Sequence, residues 1–189
     1  DQIAPNCCSV GTFMDTAIDP ATSRLFVMMR PTDSFTPTLY TVSTITGSAV
    51  LTTELQPFIY ELNYMAFDPL TPTLRATVFD RVNAEVVFAA IDPTTGQVTP
   101  QGSGIDACCS LAATDAALDP NGRRFSVPLT DYPANRDEET RLYSFNLADG
   151  AVAAQPVVRG YTIHGLAYRT GAPESSKSYL YFPWLQKNP

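Results

Sequence analysis

The sequence predicts an all-β fold of four repeats, the fourth of them incomplete. Three observations carry this reading. The phrase Ala17-Ile18-Asp19-Pro20 returns as Ala66-Phe67-Asp68-Pro69 and as Ala117-Leu118-Asp119-Pro120, so its prolines step by 49 and then 51 residues. A further step of 50 lands on Thr170, in Ala167-Tyr168-Arg169-Thr170, which keeps the apolar alternation without the Asp-Pro. The runs between these phrases are short and rich in Val, Thr, Tyr and Phe, which suits strands rather than helices. Finally, Thr46-Gly47, Thr95-Gly96 and Asp149-Gly150 follow their prolines by 27, 27 and 30 residues. A period of this length signals stacked supersecondary units.

Taken in order, each repeat opens with a strand that ends in the Asp-Pro phrase. A second strand is expected over 24–29, 74–79, 124–127 and 179–182. A third follows over 38–45, 84–91 and 140–147, then the glycine turn, where a tight hairpin needs a positive φ. The last strand covers 48–55, 97–100 and 151–158. The inserts 31–37 and 132–139 fall between second and third strands and are expected as surface loops. The repeats run roughly over 5–56, 57–102, 103–158 and 159–189, within a single domain 1–189. One such unit cannot bury both its faces, so neighbours must stack on it. By the same offsets the fourth glycine turn falls past Pro189, leaving repeat four with its first two strands. Trimming of the chain, closure by residues 1–6 of the same chain, and completion by a neighbouring molecule each account for this.

The pattern of an apolar residue, Asp-Pro, two strands and a turn such as Thr95-Gly96-Gln97-Val98 resembles the YVTN-like and related β-propeller repeats. The resemblance spans residues 11–182. It implies a propeller-like fold of four-stranded blades, and fold alone implies no activity.

Composition narrows the function classes. The chain has 189 residues with 12 Lys+Arg against 19 Asp+Glu, a net charge of −7. Lys177 and Lys187 are its two lysines, which argues against nucleic acid and anionic membrane surfaces. No apolar run approaches the roughly 20 residues of a membrane span. One histidine, His164, excludes a three-His zinc site within the chain. The cysteines form two adjacent pairs, Cys7-Cys8 and Cys108-Cys109, read as oxidised, which implies a secreted protein. The sequence opens at Asp1-Gln2-Ile3 and is expected to begin after processing.

The cysteine pairs precede the first strands of repeats one and three, 13 and 12 residues before the Asp-Pro prolines. The favoured reading is a pair of disulfides that staple repeat one to repeat three. A strained ring within each pair, intermolecular bonds and a four-cysteine metal site stay open as alternatives. Asp19, Asp68 and Asp119 suggest calcium ligands, but the turns Asp19-Pro20, Asp68-Pro69 and Asp119-Pro120 need an aspartate that accepts local backbone hydrogen bonds, and this also explains their repetition. No Asp-x-Asp-x-Asp-Gly loop or Gly-x-Ser-x-Gly elbow occurs. His164 reads as a hydrogen-bonded core or channel residue, and Asp137-Glu138-Glu139 as a solvated loop. Tyr179, Tyr181 and Phe182 read as strand residues, with Trp184 the candidate ligand contact for a stacked sugar. Thr36-Pro37-Thr38, Thr71-Pro72-Thr73 and Thr94-Thr95 are candidate O-glycan carriers, there being no Asn-x-Ser/Thr sequon.

These readings point to a secreted, non-enzymatic structural or adhesive module without cofactor or metal. Head-to-tail self-association into a fibre or array is the expected partnership. A small extracellular glycan- or peptide-binding module is the alternative.

Overall fold

The computed structural model describes residues 11–31, 36–56, 60–106, 109–110, 116–119, 121–131, 139–159, 161–163, 167–170, 178–181 and 185–187. Every regular element among them is a strand. The chain divides into two compact units, residues 1–100 and 101–189.

Two four-stranded antiparallel sheets come first, lying in the first unit except for the last strand of the second sheet, which runs on past Pro100. One is built from β1 (Gly11–Asp19), β2 (Arg24–Pro31), β3 (Thr38–Ser43) and β4 (Ala49–Glu54), in that order. The other is built from β5 (Tyr60–Asp68), β6 (Thr73–Asp80), β7 (Glu85–Ile91) and β8 (Val98–Asp106), again in chain order. Four-residue turns join β1 to β2, β5 to β6 and β6 to β7, so these consecutive strands pair as hairpins. Asp19 faces Arg24 across the first turn, and Asp68 faces Thr73 across its counterpart. The first strand of each sheet carries a bulge at the matching place, between Phe13 and Asp15 and between Leu62 and Tyr64. A bulge bends the strand and re-aims the side chains beside it.

A single apolar cluster draws on both sheets of this unit, with Phe26, Met28 and Leu39 from the first and Leu62, Leu74 and Val78 from the second. The rings of Phe26 and Phe67 stack with centroids 5.7 Å apart and planes 20° from parallel. The seam between the two sheets is therefore part of the core. A bridge from Gln56 to Gln97 adds backbone bonds at 2.9 Å (Gln56 N to Gly96 O) and 2.7 Å (Val98 N to Gln56 O).

The second unit repeats the plan with β10 (Ala117–Asp119), β11 (Arg124–Asp131), β12 (Glu139–Asn146) and β13 (Val152–Arg159). The short β9 (Cys109–Ser110) pairs with the far end of β11. Phe125, Val127, Leu129 and Phe145 are among the buried residues of this unit, and Ser126 meets Ser144 across the ladder at 2.8 Å. Pro156 falls where the β12–β13 register shifts. A proline has no N–H for the ladder, so it lies where the ladder is interrupted.

Repeat four is a hairpin. β15 (Ala167–Thr170) pairs with β16 (Ser178–Tyr181), and β14 (Tyr161–Ile163) pairs with β17 (Leu185–Lys187). Residues 161–163 and 167–170 thus run against 185–187 and 178–181, in the places of first and second strands. Among the described residues neither β16 nor β17 carries a third strand, whereas β2, β6 and β11 do. The chain is all-β with three four-stranded repeats and an incomplete fourth.

Sequence and structure differ at strand ends. The last strand of repeat two, expected over 97–100, extends to Asp106. The acidic insert ends one residue earlier than expected: Glu139 opens β12, opposite Asp131 and Arg159, because ladder bonds extend past the apolar run.

Candidate functional site

Seven described hairpin turns share one plan. Each starts at an Asp, Asn or Ser whose side-chain oxygen accepts the N–H two residues on. Asp19 accepts from Ala21 at 2.9 Å and Thr22 at 3.4 Å, Asp68 from Leu70 at 3.1 Å, and Asp119 from Asn121 at 3.1 Å and Gly122 at 2.9 Å. Asp80 accepts from Val82 at 2.8 Å, Asp92 from Thr94 at 2.8 Å, Asn146 from Ala148 at 2.8 Å and Ser43 from Ile45 at 3.3 Å. Four residues after the acceptor the chain turns left-handed, at Ser23, Gly47, Ala84, Gly96, Arg123 and Gly150, with φ between 52° and 72°. Repeat two is the exception: its fourth turn residue is Pro72, whose ring fixes φ negative.

Asp19, Asp68 and Asp119 are buried, with Asp68 fully so, while Asp92, also followed by a proline, is exposed. Asp68 also takes a 2.6 Å bond from the Thr71 hydroxyl and lies 3.7 Å from Arg75 Nε, while Arg75 donates to Thr71 at 3.2 Å. The Thr22 hydroxyl donates to Asp19 in the same way. These bonds consume the carboxylate oxygens in local turn structure, the role expected of an aspartate there. Asp80 and Asp92 have carboxyl pKa values below the usual aspartate range. For Asp80, burial pushes the value up, and the N–H of Val82 with the side chain and N–H of Asn83 outweigh it. For Asp92 the Thr94 N–H is the main cause, opposed by burial and helped by Thr95.

A second polar feature lies on the seam of the first unit. Asp15 Oδ1 accepts the N–H of Thr16 at 2.7 Å, and its Oδ2 accepts the N–H of Met65, on β5, at 2.6 Å. The sequence reading missed this residue, and it also missed Asp80, Asp92, Asn146 and Ser43 as turn acceptors. For Ser43, Asp92 and Asn146 the signal was present, as an acceptor four residues before a turn glycine, whereas Asp80 precedes Ala84 and gives no such mark.

Cys7, Cys8, Cys108, Pro120, His164, Phe182 and Trp184 lie outside the described residues, as do Asp137 and Glu138. Cys109 faces Asp131 at the end of β11, whereas in repeat one the residue facing the matching Pro31 is Gly11, three residues after Cys8. Tyr179 and Tyr181 lie in β16, opposite Arg169 and Ala167. Among the described residues no three metal-ligating side chains gather, and no helix is long and apolar enough to cross a membrane.

The sequence matches no protein-family model and no curated protein. Its fold resembles solved β-propellers. The Dos1 propeller superposes with a TM-score of 0.53 at 12% identity, over 82% of this chain and 39% of that one. The propeller domain of the Trilobed protease from Pyrococcus furiosus gives 0.47 at 11% identity, over 91% of this chain and 55% of that one. A nidogen/laminin complex gives 0.41 at 10% identity, over 83% and 68%. The chain thus spans about two fifths of the Dos1 structure it resembles, and what is shared at this identity is the fold.

Proposed function

We propose that the protein is a secreted, non-enzymatic structural or adhesive module, built as one propeller-like domain and able to assemble head to tail. The observation that carries this is repeat four. Its second strand, β16 and β17, carries no third strand among the described residues, while the three other repeats all fill that place. An unfilled strand edge offers a row of backbone N–H and C=O groups to another chain, and an added strand binds by main-chain pairing. Residues 1–6 of a second copy are the proposed donor. Donor and acceptor are then different patches, and such contacts continue into filaments when they do not close. The light charge, 16% of residues, limits repulsion between copies. Disulfides from Cys7-Cys8 to Cys108-Cys109 belong to the same proposal and would suit an oxidising extracellular setting.

Deleting residues 1–6 is the test. Electron microscopy and light scattering are expected to show assemblies of the intact chain that the deletion abolishes. Monomers alone at high concentration and neutral pH would end the fibre reading, as would undiminished assembly of the deleted form. Non-reducing peptide mapping is expected to link the two cysteine-pair peptides, and four free thiols would refute that part.

A further inference from the structure

We propose that Asp15 is a carboxylate clasp joining two successive repeats, and that the chain uses this device once per pair of repeats. Thr16 and Met65 hold the same place in repeats one and two, each directly before the alanine of the Ala-x-Asp-Pro phrase. Their strands, β1 and β5, each stand first in their sheets and, among the described residues, pair with one strand each. N–H groups on the other side of such a strand need an acceptor from elsewhere. Asp15 supplies one oxygen to each strand, Oδ1 to Thr16 at 2.7 Å and Oδ2 to Met65 at 2.6 Å. A carboxylate has the acceptor sites for both. The bulge directly before Asp15 in β1 re-aims this side chain, and β5 carries a matching bulge directly before Tyr64. The stacked Phe26 and Phe67 rings close the same seam with apolar surface.

The repeats differ at this position. Repeat two has Tyr64 and repeat four Gly165, and neither side chain offers a carboxylate. Repeat three has Asp115, two residues before Ala117 as Asp15 is two before Ala17. Asp115 lies outside the described residues, so its part in the proposal rests on the spacing. The alternation is in keeping with the division of the chain after Pro100, which puts repeat one and the first three strands of repeat two in one compact unit. The building block is then a pair of repeats, with the carboxylate on the first and the recipient N–H on the second. This is independent of assembly through repeat four.

Residue-resolved amide exchange of the full chain tests it. Asp15→Ala is expected to lower protection at Met65 roughly ten- to a hundredfold, the range for a hydrogen bond to a charged acceptor. Amides of the β6–β7 ladder should lose much less. Asp15→Asn, nearly the same shape with one acceptor oxygen, is expected to preserve protection at one of Thr16 and Met65 and lose it at the other; it serves as the readout should the alanine variant not fold. Asp115→Ala is expected to leave Met65 unchanged and to speed exchange in β10 and β11. Unchanged exchange at Met65 in both Asp15 variants would overturn the clasp. Unchanged exchange throughout residues 101–189 in Asp115→Ala would overturn its pairwise use.

Discussion

Repeats one and two carry the same motif and the same strand order, yet they are buried differently. In β2 the buried residues alternate, Phe26 and Met28 inward and their neighbours partly exposed. In β6 and β7 burial is nearly continuous, through Leu74, Arg75, Ala76, Thr77 and Val78 and through Val86, Val87, Phe88 and Ala89. Alternating burial means one covered face, and continuous burial means two. The fourth strands repeat the contrast. Val50 on β4 is 56% exposed and Val98 on β8 is 2% exposed. A shared turn motif therefore sets the hairpins and says little about how deeply each sheet is enclosed.

The largest expected effect follows from that enclosure. Phe88→Ala removes a fully buried ring from the doubly covered sheet and is expected to cost about 3–5 kcal/mol in urea unfolding. The same change of type can be compared between the sheets. Val98→Ala is expected to cost about 1.5–3 kcal/mol, the scale for a buried aliphatic side chain, and Val50→Ala to stay within about 0.5 kcal/mol. Equal losses at Val98 and Val50 would break the comparison.

Next come the turn glycines. Gly47 and Gly96 have φ of 71° and 72°, so both favour glycine for the same backbone reason. A Cβ on Gly47 meets nothing within 4 Å, while one on Gly96 would stand 2.0 Å from the backbone oxygen of Glu54. Gly47→Ala is expected to cost about 1 kcal/mol from the left-handed backbone alone. Gly96→Ala adds a clash that backbone must move to relieve, and about 2–4 kcal/mol is expected in all. Thermal unfolding of the two variants separates the terms.

These turns also show what the sequence could reveal. Asp19, Asp68 and Asp119 were legible because an aspartate and the N–H groups it binds lie within three residues, so local chemistry repeats as a local phrase. Asp80 and Asn146 do the same work without a following proline, and a search for Asp-Pro passes over them. Asp15 was illegible for a different reason. Its recipient, Met65, is 50 residues away, and only the stacking of one sheet beside another brings the two together. The continuous apolar run at 86–91 is visible in the sequence, but which faces are covered is a property of neighbours. Repeat four was legible by counting, since the strand pattern runs out after its second strand.

Acidification offers a smaller effect. The carboxyls of Asp80 and Asp92 are depressed in the folded protein. Depressed carboxyls add stability that is fully present above the ordinary aspartate value, about 3.9, and is lost as pH falls through the folded values. Unfolding free energy is therefore expected to be level near neutrality and to drop below about pH 4. Asp80→Asn and Asp92→Asn are expected to flatten part of that drop. Asp80 should account for more, because it is buried and exposed Asp92 is screened by solvent. A profile below pH 4 identical in wild type and both variants would exclude these turns as its source.

The smallest effect returns to the two repeats at one equivalent position. Ser23 closes the first turn of repeat one with φ of 55°, and Pro72 holds that place in repeat two. A non-glycine residue in the left-handed region carries a penalty of about 1–2 kcal/mol. Glycine removes it but adds about 0.5–1 kcal/mol of unfolded-chain entropy. Ser23→Gly is therefore expected to stabilise by about 0.5 kcal/mol or slightly more. Its backbone oxygen would still receive the Thr44 N–H at 2.9 Å and the Thr44 hydroxyl at 3.0 Å, so nothing else in the turn is lost. Pro72→Gly has the opposite sign. No left-handed strain is there to relieve, and the ring's restriction of the unfolded chain disappears, so a loss of about 0.5–1 kcal/mol is expected. Denaturant midpoints that move apart in these two variants would establish that repeats one and two close the same turn by different backbone routes. Midpoints that move together would mean that left-handed strain at Ser23 does not set the sign of its response.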